Sequence, residues 1–148
     1  IFHHLKKMDQ VWFKKNSTQL KLTNAIIKVA HHLNGDKILK QILKIKNKDK
    51  DNFGYAVKIV SLYVRDSLMH TDFLNYSIRK KLLPFAPLPV DRYIHKLCKD
   101  INIKDCPKSI NDYNETNWKN LQNKIKKFCF DEKIIPVYLD LWWSENAK

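Results

Sequence analysis

The sequence predicts an all-α fold, and three observations carry that prediction. Apolar residues recur at helical spacing along most of the chain. No stretch alternates convincingly with period two. Only two glycines, Gly35 and Gly54, occur in 148 residues, which leaves little material for tight hairpin turns or a Gly-rich phosphate loop. With 44% hydrophobic residues the chain is long enough for one domain around one core, and residues 1–148 are expected to form it.

The elements follow in order. Residues 4 to 15 place Leu5, Met8, Trp12 and Phe13 at loosely helical spacing among lysines, and Asn16-Ser17-Thr18 offers a turn and a cap. From Gln19 to Leu33 the positions Leu20, Leu22, Ile26, Ile27, Val29, Ala30 and Leu33 make a helix broad enough for the core, ended by Asn34-Gly35. Asp36 starts another, with Ile38, Leu39, Ile42, Leu43 and Ile45 on its apolar face. Residues 46 to 52 are the most polar stretch and read as a short exposed connection. The helix from about Asn52 to Leu68 carries Tyr55, Ala56, Ile59, Val60, Leu62 and Tyr63 in a wide band. A segment from Asp72 to Leu82 holds Phe73, Leu74, Ile78 and Leu82. Later, Tyr113 to Phe128 places Trp118, Leu121, Ile125 and Phe128 on one face, and Pro136 suits the first turn of a last helix.

Between these lies Leu83-Pro-Phe-Ala-Pro-Leu-Pro-Val-Asp-Arg-Tyr-Ile-His95. Pro84, Pro87 and Pro89 fix their own φ and push the preceding residues into extended conformations, so no α-helix crosses the segment. Val90, Ile94 and Leu97 then start a helix with Asp91 in its first turn, where the dipole and free N–H groups favour an anion. Asp91 is therefore an N-cap, a catalytic acid at a helix mouth, or both.

The charge points to a partner. There are 28 Lys and Arg against 15 Asp and Glu, a net charge of +13, which favours a polyanion through steering and counterion release. An A+T-rich genome that inflates Lys, Asn and Ile is the competing explanation. Cys98, Cys106 and Cys129 form no C-x-x-C pair and are odd in number, which argues against a disulfide framework and an ordinary zinc or iron–sulfur site. A reducing cytoplasm is the expected setting. His31-His32 and His3-His4 point about 100° apart along a helix and are poor joint ligands, so no metal is assigned. No apolar run has the length of a transmembrane helix, and no membrane partner is expected.

Three blocks, taken in order, resemble the archaeal 8-oxoguanine DNA glycosylase/AP lyase family of helix-hairpin-helix DNA glycosylases. They are Leu39-Lys-Gln-Ile-Leu-Lys-Ile-Lys-Asn-Lys-Asp-Lys50 with Tyr55-Ala-Val-Lys-Ile59, the proline block Leu83 to Arg92, and Ile135-Pro-Val-Tyr-Leu-Asp140 with Trp143. The likeness spans most of residues 13 to 143, and the proline block is its most specific part. It implies a hairpin at about 38–66, a Pro-rich loop and catalytic Asp at about 83–95, no cofactor, and a monomer acting on double-stranded DNA with an oxidised guanine. It makes Lys50 the nucleophile when aligned forward from Leu39, and puts Asp51 in that position when aligned backward from Tyr55. By the same likeness Lys58 and Asp140 contact the flipped base, and Tyr55 and Trp143, with Trp142 beside it, stack on it. Family residues that precede this chain's first residue have no counterpart here, and the segment between Lys58 and Asp91 is longer than usual.

The chemistry requires a neutral amine to attack C1′ while a carboxylate stabilises the positive sugar or assists deprotonation, and Lys50 and Asp91 fit those roles. Lys46, Lys48 and Lys58, with desolvation under a flipped nucleotide, would lower the Lys50 pKa. Lys46, Lys48, Arg92 and His95 are the expected phosphate contacts. Two other expectations stand beside this one: a glycosylase without lyase chemistry, and a non-enzymatic basic helical module that binds DNA or RNA by charge.

Overall fold

The structure, a computed structural model, describes residues 8–36, 51–70, 72–104 and 106–140, with Arg92 described by its backbone only. Among them every regular element is helical. Six α-helices run as α1 (Gln10–Lys15), α2 (Gln19–Asn34), α3 (Phe53–Met69), α4 (Tyr76–Leu82), α5 (Arg92–Asp100) and α6 (Glu115–Asp131). Two 3-10 turns, Leu83–Phe85 and Ile110–Asp112, join them, and residues 136–140 are helical. No helix among the described residues is long and apolar enough to cross a membrane.

The long helices α2 and α3 pack together and form the centre. From α2 come Leu22, Ile26, Ile27, Ala30 and Leu33, and from α3 Phe53, Ala56, Val57, Val60, Val64 and Leu68, all buried at helical spacing. The expected start of α2 holds: the Thr18 side chain accepts from the Lys21 N–H at 3.3 Å. Leu20 does not face the core, being 71% exposed on the opposite side. α4 starts later than expected. Asn75 caps it by accepting from the Ile78 N–H at 3.0 Å, so Asp72, Phe73 and Leu74 form a turn before it. α6 likewise begins at Glu115, because Asn114 and Asn117 exchange side-chain bonds to each other's backbone N–H in a capping box.

Helix ends use little glycine. Gly35 closes α2 with an ordinary right-handed φ of −77°. The left-handed positions fall to Asn102 (φ 56°) and Lys133 (φ 57°). After each, the next N–H returns to the helix: Ile103 to the Cys98 carbonyl at 2.7 Å and Ile134 to the Cys129 carbonyl at 2.8 Å.

The proline segment is a buried strut. Ala86, Pro87, Leu88, Pro89 and Val90 are all buried in extended chain, and α4 does end at Leu82. Prolines 87 and 89 carry no N–H, so Leu88 has the only backbone donor between them. The buried Gln122 side chain of α6 satisfies both of its groups, accepting from the Leu88 N–H at 3.0 Å and donating to the Leu88 carbonyl at 2.8 Å. This clamp aims the chain into α5.

Candidate active site

At the mouth of α5 a cleft of about 480 Å³ opens, lined by Tyr55, Lys58, Asp91, Tyr93, His95, Lys108, Ser109 and Ile110. α3 supplies one wall, the first turn of α5 the second, and the loop entering the 3-10 turn Ile110–Asp112 the third. Four residues chosen from sequence, Tyr55, Lys58, Asp91 and His95, therefore meet here. Tyr93 and Lys108 were not foreseen. Lys108 follows a proline in a stretch without periodicity, and only the fold brings it to the cleft.

Asp91 is both a cap and a cleft group. Its Oδ1 accepts from the Tyr93 N–H at 2.9 Å and the Ile94 N–H at 3.1 Å, while Oδ2 takes neither bond. One oxygen thus anchors the helix and the carboxylate still borders the cleft, half-exposed.

The cleft's third wall depends on Gly54. Its α-carbon sits so close to the 3-10 turn that a Cβ would overlap the Ile110 carbonyl oxygen, with the carbonyl carbon at 3.0 Å and Tyr113 Cβ at 3.2 Å. Only glycine lets α3 and this turn touch. Nothing in the local sequence separates that role from an ordinary helix-start glycine.

His95 is joined to the buried Tyr113. Its Nε2 lies 3.2 Å from the phenol oxygen, and the rings stack at 5.9 Å between centroids. Burial pushes the imidazole below its ordinary pKa, with Lys99 adding to the effect and Asp91 and Asp112 opposing it. The ring is neutral at pH 7 and offers phosphate no positive charge, so a contact through His95 would be a neutral one.

Asp140 sits elsewhere. Its Oδ2 accepts from Arg65 Nη1 at 2.6 Å, with the acid's side chain 11% exposed. The partner that an acid among apolar neighbours requires is Arg65, one turn before the end of α3. Burial pushes the Asp140 carboxyl up, and the Arg65 guanidinium at contact distance works against that rise. The charge of Asp91 also raises it, which puts the two acids within electrostatic reach of each other. Asp140 is not among the groups lining the cleft.

Asp51, the alternative to Lys50 at the start of α3, has a structural task. Its Oδ1 accepts from the Phe53 N–H at 2.9 Å and from Asn34 Nδ2 at 2.8 Å, tying the end of α2 to the start of α3. Lys46, Lys48, Lys50, Trp142 and Trp143 lie outside the described residues, as does the Arg92 side chain. Among the described residues no group of three His, Cys, Asp or Glu side chains is placed to hold a metal, and His31 instead meets Glu115 at 3.0 Å.

No family model, no curated protein and no solved structure matches the chain.

Proposed function

We propose that the chain is a helix-hairpin-helix DNA repair enzyme that excises oxidised guanine and cleaves the resulting abasic site. What supports this reading above all is the meeting of Tyr55, Lys58 and Asp91 in one cleft at a helix mouth. The cleft's volume suits one extruded base, and Tyr55 and Tyr93 bring aromatic faces to its lining. Lys58 and Lys108 add positive charge beside the carboxylate, in a chain of net charge +13.

In the proposed reaction the neutral amine of Lys50 attacks C1′ as the C1′–N bond breaks, and the base leaves with the bonding pair and takes up a proton. Asp91 offsets the positive charge that develops on the sugar. The C1′–O4′ bond then opens, O4′ takes up a proton as the amine gives one up, and the Schiff base so formed acidifies the C2′ hydrogen, after which β-elimination expels the 3′ phosphate. Of the two alignments, the one with Lys50 as nucleophile leaves Asp51 to its bonds between α2 and α3, whereas the other would give the nucleophile's place to a carboxylate already holding Asn34 and Phe53.

The test is borohydride trapping on a duplex carrying one 8-oxoguanine, with wild type, Lys50→Gln and Lys58→Gln compared. A covalent adduct lost only in Lys50→Gln supports the reaction as written. Base release without any adduct replaces it with a monofunctional glycosylase. Neither product, with salt-sensitive binding indifferent to the lesion, leaves a basic binding module.

A further inference from the structure

Behind the cleft, Cys98, Cys106, Tyr113 and His95 form a connected group that the repair chemistry does not use. The Tyr113 hydroxyl lies 3.7 Å from Cys106 Sγ and 3.2 Å from His95 Nε2. Cys98 is fully buried on α5, one turn beyond His95 and electrostatically adjacent to Cys106, which is only half-buried at the start of the Pro107–Ile110 loop. We propose that Cys106 is a peroxide-reactive thiolate and Cys98 its resolving partner, so that oxidation links α5 to the loop that walls the cleft.

Two groups able to donate lie beside the Cys106 sulfur, the Tyr113 hydroxyl at 3.7 Å and the neighbouring Cys98 thiol. With the imidazole proton on Nε2, His95 donates to the phenol oxygen and the phenol donates to sulfur, a chain that favours the anion. The neighbouring Cys98 thiol, helped by the Tyr113 hydroxyl and by the charge of Lys124, lowers the Cys106 thiol pKa against the opposing effect of burial. Among the described residues no such donor meets Cys129, and burial pushes it up to about 11.

The steps balance. The Cys106 thiolate attacks one oxygen of a hydroperoxide, the O–O bond breaks, and hydroxide or alkoxide leaves, giving a sulfenic acid. The Cys98 sulfur then displaces that hydroxyl as water, its proton leaving with it, and the S–S bond forms. The bond would tie the helix that Asp91 caps to the segment carrying Lys108 and Ser109.

The experiment uses the full chain without DNA, so its outcome is independent of the repair reading. Iodoacetamide at pH 7.5 with peptide mapping is expected to alkylate Cys106 at least about ten-fold faster than Cys129. Hydrogen peroxide is expected to yield a peptide crosslinked between Cys98 and Cys106, and in Cys98→Ser a Cys106 sulfenic acid captured by a 1,3-diketone. Tyr113→Phe, which does not depend on that variant folding, is expected to slow Cys106 alkylation at pH 7 but not at pH 10. Equal rates at Cys106 and Cys129, a peroxide product without the crosslink, or no effect of Tyr113→Phe would overturn the proposal.

Discussion

Asp91 and Asp140 look alike in sequence, each an acid in a helical turn beside apolar residues, yet the fold uses them in opposite ways. Asp91 spends one oxygen on two backbone N–H groups and borders an open cleft. Asp140 is buried and closed onto Arg65 at 2.6 Å. A carboxylate satisfied by backbone amides through one atom can still meet a substrate, whereas one matched to a half-buried guanidinium has a structural partner to give up first. Capping and chemistry are therefore compatible at Asp91, and the acid that the family likeness assigns to the base is the one the fold holds fastest.

The largest expected effect on stability breaks the Asp140 side of this contrast. Arg65→Met leaves a buried carboxylate without its partner and should destabilise by about 3 kcal/mol in urea unfolding. The low end of the usual range applies because 21% of the Arg65 side chain reaches solvent. Arg65→Met with Asp140→Leu should recover most of that loss, and no recovery would mean the pair is not the cause.

The supports of Asp91 come next. Gln122→Leu strips both buried backbone groups of Leu88 of their partners and should cost about 2 kcal/mol. Gly54→Ala forces α3 off the Ile110 turn and should cost about 1–3 kcal/mol while perturbing the cleft, readable as a shift of Tyr55 and Lys58 resonances. Asp91→Ala should cost about 1 kcal/mol through the lost cap, and Asp91→Asn close to nothing, since asparagine caps as well.

His95 gives a pH signature. Its folded pKa is depressed below the ordinary 6.5, so the unfolded chain binds the proton more readily. Stability present above that value is lost as pH falls through it toward the folded pKa. His95→Gln should flatten the slope of stability against pH in that window, and an unchanged slope would assign the titration elsewhere. The smallest effect is at Lys133, where glycine at φ 57° should raise stability by about 0.5 kcal/mol.

Much of the frame was legible in the sequence because periodicity reports burial directly. The stripes of α2 and α3 and the stop at the proline segment follow from spacing and from fixed φ alone. Starts were less legible: Asn75 and Asn114 take the caps, and a polar residue before an apolar run does not reveal which neighbour will bond. The cleft was half legible. Asp91 could be placed because it follows prolines, and Tyr55 and Lys58 through the likeness. Lys108, Arg65, Gln122 and the tight approach at Gly54 depend on contacts between segments far apart in the chain, which no local pattern encodes.

The central claim is that the carboxylate of Asp91 acts in the cleft, and the most direct test is base release from an 8-oxoguanine duplex at single turnover by wild type and Asp91→Asn. Unfolding of both should be recorded alongside. The account predicts a fall of about 10²-fold or more in rate with unchanged stability. Equal rates, with both proteins equally stable, would contradict it and leave Asp91 as a helix cap alone.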